Sequence, residues 1–424
     1  MEKRIRVVVT GLGATTPVGG DSTTFWQSLL GGTSGVRALT QPWARELPVR
    51  IAAPAARDPA GVLDRIDARR LDRSAQFALV AAREAWADAG LRGPAGPGSP
   101  VAPRRLATVV SSAVGGWHTL LGSWDAMAAG GARAVPPLTI PKLMPNAASA
   151  RVSMEFGAHG GSHAAVSACA SGAEAIASAC DLIRSGRADI VLAGGCDAVI
   201  HPLAFAAFAA MRAMSRRNTE PEAASRPFDA GRDGFVLGEG AAVLVLESAA
   251  HAERRGARPY AEIAGHGASA DAHHLAQPDP AGRGVAEALS AALADAGASP
   301  YDVAHVSAHA TATPAGDLAE ARALAGVLGP VAARHAAVTA TKSMTGHMLG
   351  ASGAVQALAC VLALHERVAP PVLNLTAVDP EIRDLDLDLI RDKPRELPFE
   401  GPLTALSDAF GFGGHNVVLV LRTV

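Results

Sequence analysis

Six stretches of this chain read as short apolar strands, and Ala-rich helical sequence separates them: RVVVTGLG, RLATVVSSAV, DIVLAGGCDAV, GAAVLVLES, VAHVSAHA and AAVTATKS. A strand that is apolar throughout has no face to give to water, so it belongs in a sheet covered on both sides. Strands and helices alternating in this way predict an α/β chain built in layers. At 424 residues, 49% hydrophobic and 18% charged, the chain is too long for one simple core and long enough for two fused halves. Residues 41–61 and the Gly/Pro-rich 90–105 read as surface loops.

An internal echo supports two halves. VVTGLGAT near residue 8 resembles EIAGHGAS near residue 262, each a strand running into G-x-G. ASGAEAIASAC begins at Ala170 and ASGAVQALAC at Ala351, each a small-residue helix after a reactive side chain, Cys169 or His347. The offsets, 254 and 181 residues, differ, which predicts an insertion in the first half within about 115–160. The expected division is residues 1–255 and 256–424.

Several classes are excluded. A net charge of −2 is not that of a general nucleic-acid binder. The four cysteines, Cys169, Cys180, Cys196 and Cys360, have neither CxxC nor Cys/His metal spacing, so no zinc site or disulfide framework is expected, and a reducing cytoplasm fits. No apolar run has membrane-spanning length, and the N-terminal one is too short for a secretory core. GLGATTPVGG is not a dinucleotide fingerprint, and no P-loop pattern occurs.

Cys169 follows HAAVSA, read as a strand, and precedes a helix of small residues. At a helix N-terminus, unpaired N–H groups favour a thiolate, and Ala168, Ala170, Ser171 and Gly172 leave room for a bulky thioester. Core packing is the alternative for any buried cysteine, and it is the expectation for Cys180, Cys196 and Cys360. His309 and His347 are placed at the same kind of strand-to-helix junction, where ligand crevices of α/β sheets form.

With these residues in view, the chain resembles the elongating β-ketoacyl–acyl-carrier-protein synthases, condensing enzymes of type II fatty-acid and polyketide synthesis. The resemblance runs through VVVTGLGATTPVG, VSACASG, MRAMSRRNTEPEAASRPFDAGRDGFVLGEGAAVLVLE, AHATATPAGD, KSMTGHMLGASG and DAFGFGGHN, in order and over essentially the whole chain. It implies a thiolase-type fold of two pseudo-duplicated halves in α/β/α/β/α layers, normally dimeric. It implies an acyl-carrying Cys169 and two enolate-stabilising histidines, His309 and His347. Backbone N–H groups of Cys169 and Phe412 would form a second oxyanion hole. Lys342 with Glu320 would tune His347, a structural ion pair being the alternative.

The same resemblance implies pantetheine contacts at Thr311 and Thr313 and a gate at Phe410 and Phe412, on a glycine loop. It puts Val114, Phe205 and Phe208 at the acyl pocket, with core packing as the alternative. Carrier docking would use Arg65, Arg69, Arg70, Arg73 and Arg212, the first four being otherwise a solvated helix face. No free cofactor or metal is implied, since substrates arrive on the phosphopantetheine of an acyl carrier protein. A homodimer, or a heterodimer with a chain-length factor, would be the assembly.

Two departures stand beside these groups. Ala310 replaces the family's usual glycine after His309, which would strain the loop if that position needs positive φ. Asp408–Ala409 replaces the commoner Asn–Ser. Competing functions are a non-enzymatic chain-length partner, disfavoured because such partners lack the cysteine, and a coenzyme A-dependent thiolase or acyltransferase, disfavoured by the two-histidine pattern and GFGGHN.

Overall fold

The computed structural model describes residues 4–398 and 400–424. Among them one sheet of ten strands dominates. In chain order these are β1 (Val7–Thr15), β2 (Leu106–Ser111), β3 (Ser162–His163), β4 (Ile190–Asp197), β5 (Gly240–Ser248), β6 (Ala261–Ala270), β7 (Val303–Ser307), β8 (Ala337–Thr339), β9 (Thr404–Gly411) and β10 (His415–Arg422). The helices packed on them are α1 (Arg73–Asp88), α2 (Ala147–Phe156), α3 (Ser171–Arg184), α4 (Arg283–Ala296), α5 (Pro314–Ala332) and α6 (Gly350–Glu366).

Strand order is β8-β7-β9-β10-β6-β1-β5-β4-β2-β3. Each five-strand set repeats one plan: two parallel pairings at the outer edge, then two antiparallel ones inward. The sets join only where Val7–Val9 run antiparallel to Ala261–Ile263. Following the chain, β1-α1-β2-α2-β3-α3-β4-β5 matches β6-α4-β7-α5-β8-α6-β9-β10 element for element. The helices Trp117–Gly130 and Thr139–Leu143 come in addition, between β2 and α2.

Side-chain alternation builds the layers. In β2 and β4, Ala107, Val109, Val191 and Ala193 face the central core with α3 and α6, whereas Leu106, Val110, Ile190 and Leu192 face α1 and α2. In β9 and β10, Ala405, Val417 and Leu419 turn inward, and Leu406, Val418 and Val420 meet α4 and α5. The result is α/β/α/β/α, with α3 and α6 buried between the two five-strand sets of the one sheet.

The echoed glycines have one physical use in both halves. A Cβ at Gly11 or Gly13 would run into the α1 backbone at Ala85 or Ala81, and one at Gly265 or Gly267 into the α4 backbone at Ala296 or Ala288. The central helices cross just as closely. A Cβ on Gly172 would lie 2.6 Å from the Gly350 carbonyl oxygen, and one on Gly353 would lie 2.8 Å from the Ala173 nitrogen.

Local geometry corrects three expectations. HAAVSA is not a strand: β3 stops at His163, and Ala168, at φ 51°, turns the chain into a 3₁₀ turn, Ala168–Ala170. His347 does not follow a strand directly, because the short helix Lys342–Thr345 intervenes after β8. The GFGG loop is the tip of a hairpin, with Phe410 and Gly411 inside β9 and the turn at Gly413 and Gly414. Both hairpin strands, β9 and β10, lie outside the six runs recognised in the sequence.

Because the crossing has no room for a side chain, Gly172→Val is expected to cost about 1–3 kcal/mol through overpacking. A lower urea midpoint with an unchanged m-value would register it.

Candidate active site

The cysteine turn, the loop after β7, the loop before α6 and the β9–β10 hairpin converge on one cavity of about 510 Å³. Cys169, His309, His347, Thr311, Thr313, Glu320, Phe208, Phe410, Phe412 and Arg212 all line it. The two imidazole rings stand 5.5 Å apart, nearly perpendicular at 87°. His309 also meets Phe410, and His347 meets Phe235 edge-on.

Echoed serines brace the two reactive turns. Ser171 accepts the Ser167 N–H at 3.0 Å and donates to the Ala168 carbonyl at 2.7 Å, closing the turn that holds Cys169. Ser352 accepts the Met348 N–H at 2.8 Å and lies 3.0 Å from His347 Nδ1. Having accepted the Met348 N–H, the Ser352 hydroxyl still has its own proton to give, and donating it to Nδ1 is the assignment that puts the His347 proton on Nε2.

Lys342 does the same for His309. Its buried ammonium donates to the His309 carbonyl, to Gln356 Oε1 and, at 3.3 Å, to His309 Nδ1. As an ammonium, Lys342 uses all three protons on these acceptors, and in that state Nδ1 must accept, which leaves the His309 proton on Nε2. Burial, then the Lys342 charge, holds both imidazoles well below the usual histidine range. Each ring is therefore a neutral N–H donor at pH 7, not a base.

Glu320 does not pair with Lys342 directly. Its two oxygens accept the backbone N–H groups of His309 and Ala310, each at 2.7 Å. Burial pushes this carboxyl up and the Lys342 ammonium down, and the two groups still attract. Ala310 sits at φ 30° and Ala312 at φ 67°, so the loop is strained at the position where alanine replaces the family's usual glycine and again two residues on. One turn earlier on α5, Asp317 accepts the Ala312 N–H at 3.0 Å and the Phe228 N–H at 2.8 Å. Two buried carboxylates of one helix thus pin two strained alanines.

The helix-terminus argument for an acidic thiol is overruled by burial. Desolvation pushes Cys169 up to about 12, although Lys342 and a hydrogen bond from the Phe412 N–H to the sulfur oppose it. The resting group is a thiol.

Other expected residues are placed differently. Val114 is 38% exposed and off the cavity wall, and Phe205 is fully buried against Trp43. Arg65, Arg69 and Arg70 are exposed on the short helix Arg65–Arg70. Arg73 differs from them: its guanidinium pairs with Glu239 and Asp58 and covers the Phe77 ring. Sequence reasoning missed Ser352, Gln356, Asp317 and Asp197. Asp197 is wholly buried and accepts the N–H groups of Ala113 and Gly350, tying β4 to the start of α6. Only Ser352 had a visible signal, its place in the repeated ASG.

Residues 4–252 match the family model "Beta-ketoacyl synthase, N-terminal domain", and residues 260–376 match "Beta-ketoacyl synthase, C-terminal domain". The 3-oxoacyl-[acyl-carrier-protein] synthase 2 of Coxiella burnetii is 44% identical over 425 residues, covering 100% of both chains. That of Staphylococcus aureus is 40% identical over 423 residues, covering 100% of this chain and 99% of the relative. A type II polyketide ketosynthase solved with its acyl-carrier protein and bound to the hexaketide superposes with a TM-score of 0.89 at 33% identity, covering both chains completely. A β-ketoacyl synthase of Burkholderia phymatum gives 0.88 at 35% identity, covering 99% of this chain and 100% of that one. The chain belongs to the β-ketoacyl synthase family, and its fold is the layered one of these ketosynthases.

If Glu320 holds the strained loop, Glu320→Ala strands two buried N–H groups and costs at least about 2 kcal/mol. Adding Ala310→Gly to that variant should recover part of the loss, since glycine adopts this φ freely. Chemical denaturation of the single and double variants checks both.

Proposed function

We propose that this protein joins acyl and malonyl units by decarboxylative Claisen condensation, as a β-ketoacyl-acyl-carrier-protein synthase of type II fatty-acid or polyketide chain elongation. One observation carries the assignment of residues: two buried imidazoles and one cysteine sulfur share a cavity.

The acyl group passes from the carrier's phosphopantetheine thioester to the sulfur of Cys169, and the thiol proton leaves with the departing pantetheine thiol. The backbone N–H groups of Cys169 and Phe412 receive the oxyanion of this transfer. Malonyl thioester then loses carbon dioxide, and the electrons of the broken C–C bond flow onto the thioester oxygen. His309 and His347 donate to that oxygen only as charge develops, which lowers the barrier rather than tightening ground-state binding. The enolate carbon attacks the acyl carbonyl, the bond to Cys169 breaks, and the released thiolate takes up a proton. Lys342 and Glu320 position the histidines, the first through the ring and the second through the backbone.

Thr311 and Thr313, whose hydroxyls lie 3.0 Å apart at the wall, suit the amides of a pantetheine arm. Phe208, Phe410 and Phe412 border the acyl side. Arg212 at the mouth, with Arg65, Arg69 and Arg70, would attract an acidic carrier. The halves 1–255 and 256–424 are the two repeats of this reading, supported by the matching order of elements. A homodimer in the cytoplasm completes it; a heterodimer with a chain-length partner is the alternative assembly.

Cys169→Ala should abolish condensation of acyl- with malonyl-carrier substrates while malonyl decarboxylation persists. His309→Ala and His347→Ala should each lower decarboxylation by about 10²–10³-fold. Chromatography of ketoacyl product alongside carbon dioxide release separates the steps, and condensation by Cys169→Ala would refute the assignment.

A further inference from the structure

Asp408 lies on β9, two residues before Phe410, with its side chain wholly buried. Neither carboxyl oxygen has a hydrogen-bond partner among the described residues. Its surroundings are nonetheless connected to the site. Gln356 donates to the Asp408 carbonyl at 3.2 Å and to the Ala308 carbonyl at 2.6 Å, while its own Oε1 accepts from Lys342. The titratable groups electrostatically linked to the Asp408 carboxyl are Glu320 on α5, Lys342 on the short helix and Cys360 on α6. The residues paired with this stretch on the flanking strands are uncharged: Ser407 pairs with Ser307 on β7, and Asp408 itself pairs with Val418 on β10.

Charge balance decides the state of this group. Asp317, also within the cluster's field, shares Arg232, 3.7 Å away, with Asp379, which pairs with the same guanidinium at 2.6 Å, so no cation is left over from there. That leaves one ammonium, Lys342, for two buried carboxyls, and two anions cannot share it out of water. Glu320 accepts two backbone N–H bonds, which favour its anion, and Asp408 accepts none. The proton therefore belongs to Asp408. Burial first, and Glu320 second, push its carboxyl well above the usual range, against the pull of Lys342.

We propose that Asp408 is a positioning residue that carries a proton at neutral pH, so that the Lys342 charge stays directed at His309, His347 and Cys169. Ionised, Asp408 would cancel much of that field. Loss of the proton with rising pH then disfavours the Cys169 thiolate and favours protonated imidazoles, both of which oppose the proposed chemistry. This goes beyond the condensation mechanism and is tested without relying on it.

Infrared spectra of the wild type and Asp408→Asn at pH 8, with and without ¹³C-aspartate labelling, should show a carboxylic-acid carbonyl band. The band should shift with the label and vanish in the variant, whose neutral amide has the shape of the protonated acid. Alkylation of Cys169 by iodoacetamide, followed on its peptide by mass spectrometry, gives the second readout. The two proteins should react within about twofold of each other at pH 7, and the wild type should lag by about threefold or more once Asp408 ionises at alkaline pH. Should the variant not fold, the labelled wild-type band must still disappear on alkaline titration. Carboxylate bands alone at pH 8, or coincident alkylation profiles, would overturn the proposal, whatever condensation assays show.

Discussion

Two helices that cross with no side chain between them hold this site together. Gly172 on α3 and Gly353 on α6 each lie against the other helix's backbone, so the turns that precede the two helices are forced into the same space. One turn carries Cys169 and the other His347. Separating the helices by one methyl group would move a sulfur and an imidazole apart, and positioning at the ångström level governs rates in sites of this kind. The strands on either side hold them there: α3 and α6 are covered by both five-strand sets, and neither can shift without opening the central core.

Upon this frame sits a small electrostatic device. A single buried ammonium, Lys342, fixes the tautomer of His309, joins the loop after β7 to Gln356 on α6, and discourages protonation of both rings. Glu320 acts on the backbone instead, holding a loop that alanine at position 310 makes costly. The family resemblance joined Lys342 and Glu320 in tuning His347, but the geometry divides the labour: the lysine meets the His309 ring, and the carboxylate holds the chain. Low dielectric makes each arrangement effective and makes each missing partner expensive.

Much of this was legible in the residues. Apolar strands alternating with Ala-rich helices do require sheets covered on both faces, and the repeated G-x-G and ASG mark the two kinds of close approach that build them. Cys169, His309 and His347 announce themselves by type and setting. What could not be read is whatever depends on the balance between local preference and burial. HAAVSA has strand propensity, yet Ala168 leaves extended geometry to form the turn. A helix start argues for an acidic thiol, yet desolvation wins. Arg73 looks like its neighbours on the 65–73 segment until Glu239, 166 residues later, is seen to occupy it. Gln356 and Asp197 work through contacts distant in sequence, which no spacing reveals.

The central claim is that His309 and His347 are neutral donors with their protons on Nε2. Nitrogen-15 NMR of histidine-labelled protein, with each resonance assigned by single substitution, reports tautomer and charge directly. Both rings should remain neutral, with Nδ1 unprotonated, from pH 8 down through pH 6. An imidazolium signal from either ring at neutral pH, or a proton on Nδ1, would contradict the account.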